Sequence, residues 1–234
     1  MSGHGIPRAP HRESLHGAGR VLGVMFRPGG FRPLLGRSLT ILTDRVVPVA
    51  EIFGPAGNAV SEAVLAASDD AGMVAAFEHF LRPRIDALAG EGGSRLATVD
   101  QVAGIVERVA ADPTVLRVDD LADQLGIGVR SLQRLCTEHI GVGPKWIIRR
   151  YRLHEATARM AEAGSAGCDW ARLAVELGYS DQAHFVRDFT ATIGVSPARY
   201  ARETASTTAR ATKPTATSTR GHGRRAVIGR RGRG

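Results

Sequence analysis

The pattern that most limits what this chain can fold into is written twice in its C-terminal half. Residues 121–144 read LADQLGIGVRSLQRLCTEHIGVGP, and residues 173–197 read LAVELGYSDQAHFVRDFTATIGVSP. Leu-Ala, Leu-Gly, an Arg two residues after an apolar residue, and Ile-Gly-Val-x-Pro recur in the same order. The offset between copies is 52 residues as far as Gly126 and Gly178, and 53 from Leu132 and Phe185 onward. The second copy therefore holds one extra residue, placed just after the glycine, where a turn absorbs it without disturbing the register of either flank.

Each copy predicts a short helix, a glycine-containing turn and a second helix with an outward Arg, which is the layout of a helix-turn-helix unit. In the first unit Leu121, Ala122, Leu125, Leu132, Leu135 and Cys136 fall on the inward face, and Arg130, Ser131, Gln133 and Arg134 fall outward. In the second, Leu173, Ala174, Leu177, Phe185 and Phe189 point in, while Gln182, Ala183, Val186 and Arg187 point out. Arg can donate two bonds to the O6/N7 edge of guanine, Gln can pair with the N6/N7 edge of adenine, and small apolar groups can meet a thymine methyl. An ordinary bundle with solvated Arg and Gln would carry the same residue types singly. Two copies in register favour DNA reading.

Periodicity places helices near 100–111, 118–125, 130–139, 144–163, 169–177, 182–192 and 197–203, seven in about 105 residues. Pro144 and Pro197 suit first helical positions, Asp119 and Asp169 suit N-terminal ends, and Gly141, Gly164 and Gly194 suit C-terminal ends. The helix between the units, at twenty residues, spans about 30 Å. That is close to the roughly 34 Å between successive major-groove faces of B-DNA. Lys145, Arg149, Arg150 and Arg152 cluster in its first half, where they can touch phosphates or simply form a solvated basic face.

Upstream, residues 1–20 are rich in Gly, Pro, His and Arg and are expected to be unfolded. Residues 21–26 (VLGVMF) read as a strand that needs a pairing partner, and residues 31–36, 49–53, 58–67 and 72–89 read as short helices. Glu91-Gly92-Gly93-Ser94 opens a linker taken to span 91–97. From residue 204 to the end there are eight Arg or Lys and no acid, leaving 23 of the 31 basic residues against all 23 acidic ones elsewhere. The net charge of +8 thus belongs to a tail, 204–234, whose Thr, Ala, Ser, Arg and Gly composition predicts disorder.

Residues 98–203 resemble the DNA-binding domain of AraC/XylS-type transcription regulators. The resemblance is carried above all by LGYSDQAHFVRDF at 177–189 and IGVSPARY at 193–200, with SLQR at 131–134 matching the first recognition helix. It implies a mainly α fold in which two helix-turn-helix units are joined by a long helix. It further implies that Arg130, Gln133 and Arg134, and Gln182, Ala183, Val186 and Arg187, face the grooves. Ser131 joins them, and Lys145, Arg149, Arg150 and His184 are expected at phosphates. Double-stranded DNA is the expected partner, with RNA polymerase a second. Cys136 and Trp170 depart from the family's usual residues without touching the reading face. Residues 21–90 resemble the distal part of a sensor domain found in some family members, making a small partial α/β segment. The barrel portion of that domain would lie upstream of Val21, so a shortened regulator is expected, and so incomplete a sensor gives little ground for a small-molecule effector. The competing reading is an interaction module that pairs with a partner through 21–90 without specific DNA binding.

Other classes find little support. There is no P-loop, nucleophile elbow or His-Glu-x-x-His, and the two cysteines, Cys136 and Cys168, have no His at ligand spacing. No catalytic residue, metal or cofactor is expected. No apolar run approaches the length of a membrane span and the N-terminus has no hydrophobic signal core, so a cytoplasmic location is expected.

Overall fold

The computed structural model describes residues 1–10, 19–90, 94–163 and 169–211. It is mainly α, as the residue pattern requires. The N-terminal segment holds two short strands, β1 (Ser2–His4) and β2 (Val46–Pro48), paired antiparallel with Gly3 opposite Val47. Four helices follow or intervene: α1 (Arg32–Leu35), α2 (Val49–Phe53), α3 (Pro55–Ala66) and α4 (Asp70–Gly90), with a 3-10 turn at Leu39–Leu42. Asp69 starts α4 by accepting the Gly72 amide at 2.7 Å. Val49, Val60, Val64, Met73 and Phe80 form the core of this segment. Phe53 meets Phe80 edge-on at 5.1 Å, and the Arg84 guanidinium lies 3.8 Å from the Phe80 ring centre.

Two expectations for this segment are corrected. Residues 21–26 form no strand: Val21 is 71% and Met25 94% exposed, and only Leu22 of the run packs onto the local core. The run lacks the alternation that would bury one face. Residues 1–10, read as unfolded, are instead ordered by β1, by Gly5 and Asp44 amides donating to Arg45 and Ile6 carbonyls, and by Arg8 on Asp44. Most of those contacts are main-chain bonds, which composition does not reveal.

Seven further helices make the C-terminal unit: α5 (Ser94–Ala111), α6 (Val118–Leu125), α7 (Val129–Ile140), α8 (Pro144–Ala163), α9 (Trp170–Glu176), α10 (Gln182–Ile193) and α11 (Pro197–Ala211). Helix α5 begins at Ser94, so residues 94–97 are its first turn rather than linker; residues 91–93 lie outside the described residues. Helix α11 runs eight residues beyond the expected start of a disordered tail at 204, and residues 212–234 lie outside the described residues. Gly164 and Cys168 also lie outside them.

The core of this unit is double. Ile105, Val109, Leu121, Leu132, Cys136, Ile147 and Ile148 belong to one cluster. Leu153, Ala156, Met160, Leu173, Phe185 and Phe189 belong to another. Helix α8 thus gives its first half to one core and its second half to the other, and each helix-turn-helix unit folds around one half of it.

The N-terminal segment docks on the first of these units. Arg27 pairs with Asp100 of α5, and Ile6 packs against the first cluster. Thr43 Oγ1 donates to the Gly141 carbonyl at 2.7 Å. Gly141 ends α7 with φ of 96°, and a Cβ there would stand 2.8 Å from Thr43 Oγ1 and 3.0 Å from the Leu39 carbonyl. Only glycine meets both demands.

Candidate nucleic-acid interface

In both units the repeat glycine just after the first helix takes a left-handed conformation, with φ of 65° at Gly126 and 75° at Gly178. The chain then turns sharply enough to bring the second helix across the first. Leu132 and Cys136 of α7, and Phe185 and Phe189 of α10, are fully buried beneath it. Burial of that stripe forces the opposite stripe outward, because residues on one helix face recur every three to four positions.

Arg130, Ser131, Gln133 and Arg134 of α7 are all exposed, as are Gln182, Ala183 and Arg187 of α10. Val186 is half-buried and packs on the second core, so it offers only part of its surface to a ligand. Arg130 and Arg134 have no ion-pair partner among the described residues, which leaves both guanidinium forks available. Arg187 folds back along its helix, its Nε donating to the Ala183 carbonyl at 3.3 Å.

The two helix N-termini differ. Helix α7 starts from Gly128 with no side chain bonded to its first amides, leaving an uncapped positive dipole end. Helix α10 starts from Asp181, whose carboxylate accepts the His184 amide at 2.7 Å. That bond holds the Asp181 carboxyl below its ordinary range, and the Ser180 hydroxyl with Arg187 and His184 nearby adds to the effect. The extra residue of the second repeat copy thus accompanies an acidic cap that the first copy lacks.

The residues expected at phosphates are placed unevenly. Lys145 is exposed on the first turn of α8, and Arg150 is half-buried one turn before His154. Burial lowers the His154 imidazole, and Arg150 lowers it further. Exposed His184 stands edge-on to Tyr179 at 5.2 Å with its Nδ1 3.3 Å from Ser180 Oγ, which gives its ring a packing role. Arg149 is exposed but ion-paired with the buried carboxylate of Asp188. Arg152 turns inward: its Nε is buried without a hydrogen-bond partner, and burial lowers the guanidinium while Tyr179 opposes that shift.

Asp188 is the functional neighbour that residue patterning missed. It is 7% exposed, accepts the Tyr179 hydroxyl at 2.6 Å on one oxygen and pairs with Arg149 through the other. The available signal was its spacing: three residues after Phe185, it falls on the core stripe, where a carboxylate requires partners.

Elsewhere, Arg159 bridges Glu155 of α8 and Glu176 of α9 at 2.7 Å each, tying the connecting helix to the first helix of the second unit. Among the described residues no group of three or more His, Cys, Asp or Glu is gathered as a metal would need. No described helix is long and apolar enough to cross a membrane. Burial pushes the Cys136 thiol up to about 12, which leaves it a core residue without thiolate character at neutral pH.

The match to a family model agrees with this geometry. Residues 121–203 match the family model described as a helix-turn-helix domain, and residues 3–48 match a domain of unknown function, DUF6597. The C-terminal domain of AraT, a response regulator from Geobacillus stearothermophilus, is similar at 22% identity and a TM-score of 0.36, over 50% of this chain and 93% of that one. The comparison with curated proteins gives no match. Across residues 121–203 the chain carries a helix-turn-helix domain, which supports a DNA-binding transcription regulator.

Proposed function

We propose that this protein recognises a specific duplex site with two reading helices, α7 and α10, set into adjacent major grooves by α8. The observation that carries the reading is the shared connecting helix. Its twenty residues give about 30 Å, near one turn of duplex, and each half is built into the core of one unit. A rigid strut of that length supports two grooves read by one protomer.

Roles follow from exposure and chemistry. Arg130, Ser131, Gln133 and Arg134 read one half of the site, and Gln182, Ala183 and Arg187 the other, with Val186 contributing its exposed edge. Lys145 and Arg150 fit phosphates, as does the uncapped N-terminus of α7. Such contacts supply most of the affinity and little of the sequence choice. Arg149 fits the positioning of α10 better than a phosphate contact, because Asp188 already holds it. RNA polymerase is a fitting second partner for a regulator, and the exposed faces away from the reading helices leave room for it.

Hydroxyl-radical footprinting with the full-length protein on a selected site tests the reading. The expected result is two protected blocks centred about 10 bp apart on one face of the duplex, at protein concentrations where it is a monomer. A single block, or protection that appears only with dimer, would show that one helix alone reads DNA.

A further inference from the structure

Where the N-terminal segment meets the first helix-turn-helix unit, three elements close around a cavity of about 270 Å³. Helix α1 contributes Arg32, the first turn of α5 contributes Ser94, Arg95 and Thr98, and the last turn of α7 contributes His139. No carboxylate lines it. Arg32 Nε and His139 Nδ1 are both buried and have no hydrogen-bond partner. Buried polar atoms in native folds are normally satisfied, so the orphaned Arg32 Nε, which can only donate, calls for an acceptor, and the His139 ring nitrogen can donate to the same ligand when protonated.

We propose that this cavity binds a small oxyanion, a phosphate or a short carboxylate, held between α1, α5 and α7. The donors suit that chemistry. A guanidinium presents a planar fork to an oxyanion, an imidazole offers a second direction, and the Ser94 hydroxyl a third. The eighteen-residue α5 begins at the cavity wall, so the positive end of its dipole faces the same space. Thr98 already donates to the Ser94 carbonyl at 3.0 Å and serves as wall rather than donor. Burial and the neighbouring Arg32 both lower the His139 imidazole, with Glu138 opposing them. A bound anion would favour the protonated imidazole beside Arg32. Because Arg32 belongs to the N-terminal segment and His139 to α7, an anion here would fasten that segment to the end of the first reading helix. The site stands on cavity lining and donors alone and does not depend on how DNA is read.

The test uses the full chain without DNA, in a buffer free of oxyanions. Thermal unfolding and calorimetric titration are followed with inorganic phosphate and, separately, succinate, each against sodium chloride at matched ionic strength. The expected result is saturable stabilisation by one or both oxyanions beyond that given by chloride. Saturation by phosphate alone assigns a phosphate ligand, and saturation by succinate alone a carboxylate. Arg32→Gln and His139→Leu should each weaken binding about tenfold or more, whereas Arg82→Gln, on the exposed surface of α4, should leave it unchanged. Should either cavity variant lose its helical circular dichroism, amide shifts of Ser94 and Arg95 in the unaltered protein on adding the anion report the site directly. Oxyanions acting no better than chloride, undiminished binding in both cavity variants, or silent Ser94 and Arg95 amides would each overturn the proposal.

Discussion

Arg149, in the first half of the connecting helix, is ion-paired with Asp188 of the second recognition helix, and the same carboxylate accepts the Tyr179 hydroxyl. The neighbours of Arg149 in sequence, Ile147 and Ile148, belong to the first core, whereas Phe185 and Phe189 beside Asp188 belong to the second. The pair therefore joins the connecting helix, next to its first-core residues, to the second recognition helix. A two-groove reader needs the orientation of α10 held relative to α7, and this contact supplies a restraint on it.

A double-mutant cycle of Arg149→Ala and Asp188→Ala should give a coupling of about 1–3 kcal/mol in urea unfolding of the full chain. Arg149→Ala alone should be the costlier single change to DNA affinity, since it strands a buried carboxylate beside α10. Additive single effects would mean that the two residues act independently and that α10 is positioned by apolar packing alone.

Much of this arrangement was legible in the residues because the apolar stripe of each helix also dictates what faces out. Leu132 and Phe185 locate the cores, and Arg130, Arg134 and Arg187 then follow on the far side. Chemistry that depends on distant partners was not legible. Asp188 reads locally as one more charge on a helix, and only the approach of Tyr179 and Arg149 makes it a buried hub. The strand at Ser2–His4 carries no alternating apolar pattern and exists because Val46–Pro48 pairs with it. Residues 21–26 fail in the opposite way: apolar composition suggests a strand, but among the described residues no strand pairs with them. Arg149 and Arg152 read as phosphate ligands from their basic cluster, but Arg149, though exposed, is held by Asp188, and Arg152 has its Nε buried.

Acid should loosen the second reading helix by a specific route. The Asp181 carboxyl, capping α10, titrates below its ordinary value of 3.8 in the folded protein. A depressed folded-state value means that its contribution is fully present above the unfolded value and is lost as pH falls through the folded one. Asp181→Asn keeps a competent cap without a titrating group. The variant should match the unaltered protein near pH 7 and lose less stability as the pH falls below about 4. Asp44, Asp112 and Glu176 are lowered in the same direction and will preserve part of the acid sensitivity. Identical acid limbs for the two proteins would remove Asp181 from the account.

Removal of residues 212–234 deletes seven basic residues and no acidic ones. Non-specific DNA binding should weaken and its salt dependence flatten, by about 0.9 in the log–log slope for each phosphate no longer engaged. The preferred site should be the same, because a run of Arg, Gly and Thr has no fixed register on base edges. An unchanged slope, or a changed site selected from a random pool, would count against a purely electrostatic tail.

Arg134 and Arg187 occupy equivalent places in the repeat, each two residues after the buried residue that anchors its helix, Leu132 or Phe185. Both are exposed, but only Arg187 is held back along its own helix, by the Ala183 carbonyl. Alanine at either position should relax base preference within one half of the site and leave the other half read as before. A bidentate contact to guanine carries roughly 1–3 kcal/mol of discrimination, so preference at the affected base should fall about 5- to 150-fold. The loss at Arg187 should sit at the lower end, because freeing the guanidinium from Ala183 offsets part of what the base contact gains. Arginines that touch only phosphates would instead weaken every sequence alike and reduce the salt slope. Sites selected from a random pool with each variant separate the two cases. If both variants keep the original preference and lose affinity uniformly, base choice rests with Arg130, Gln133 and Gln182, the other exposed polar residues on the same two faces.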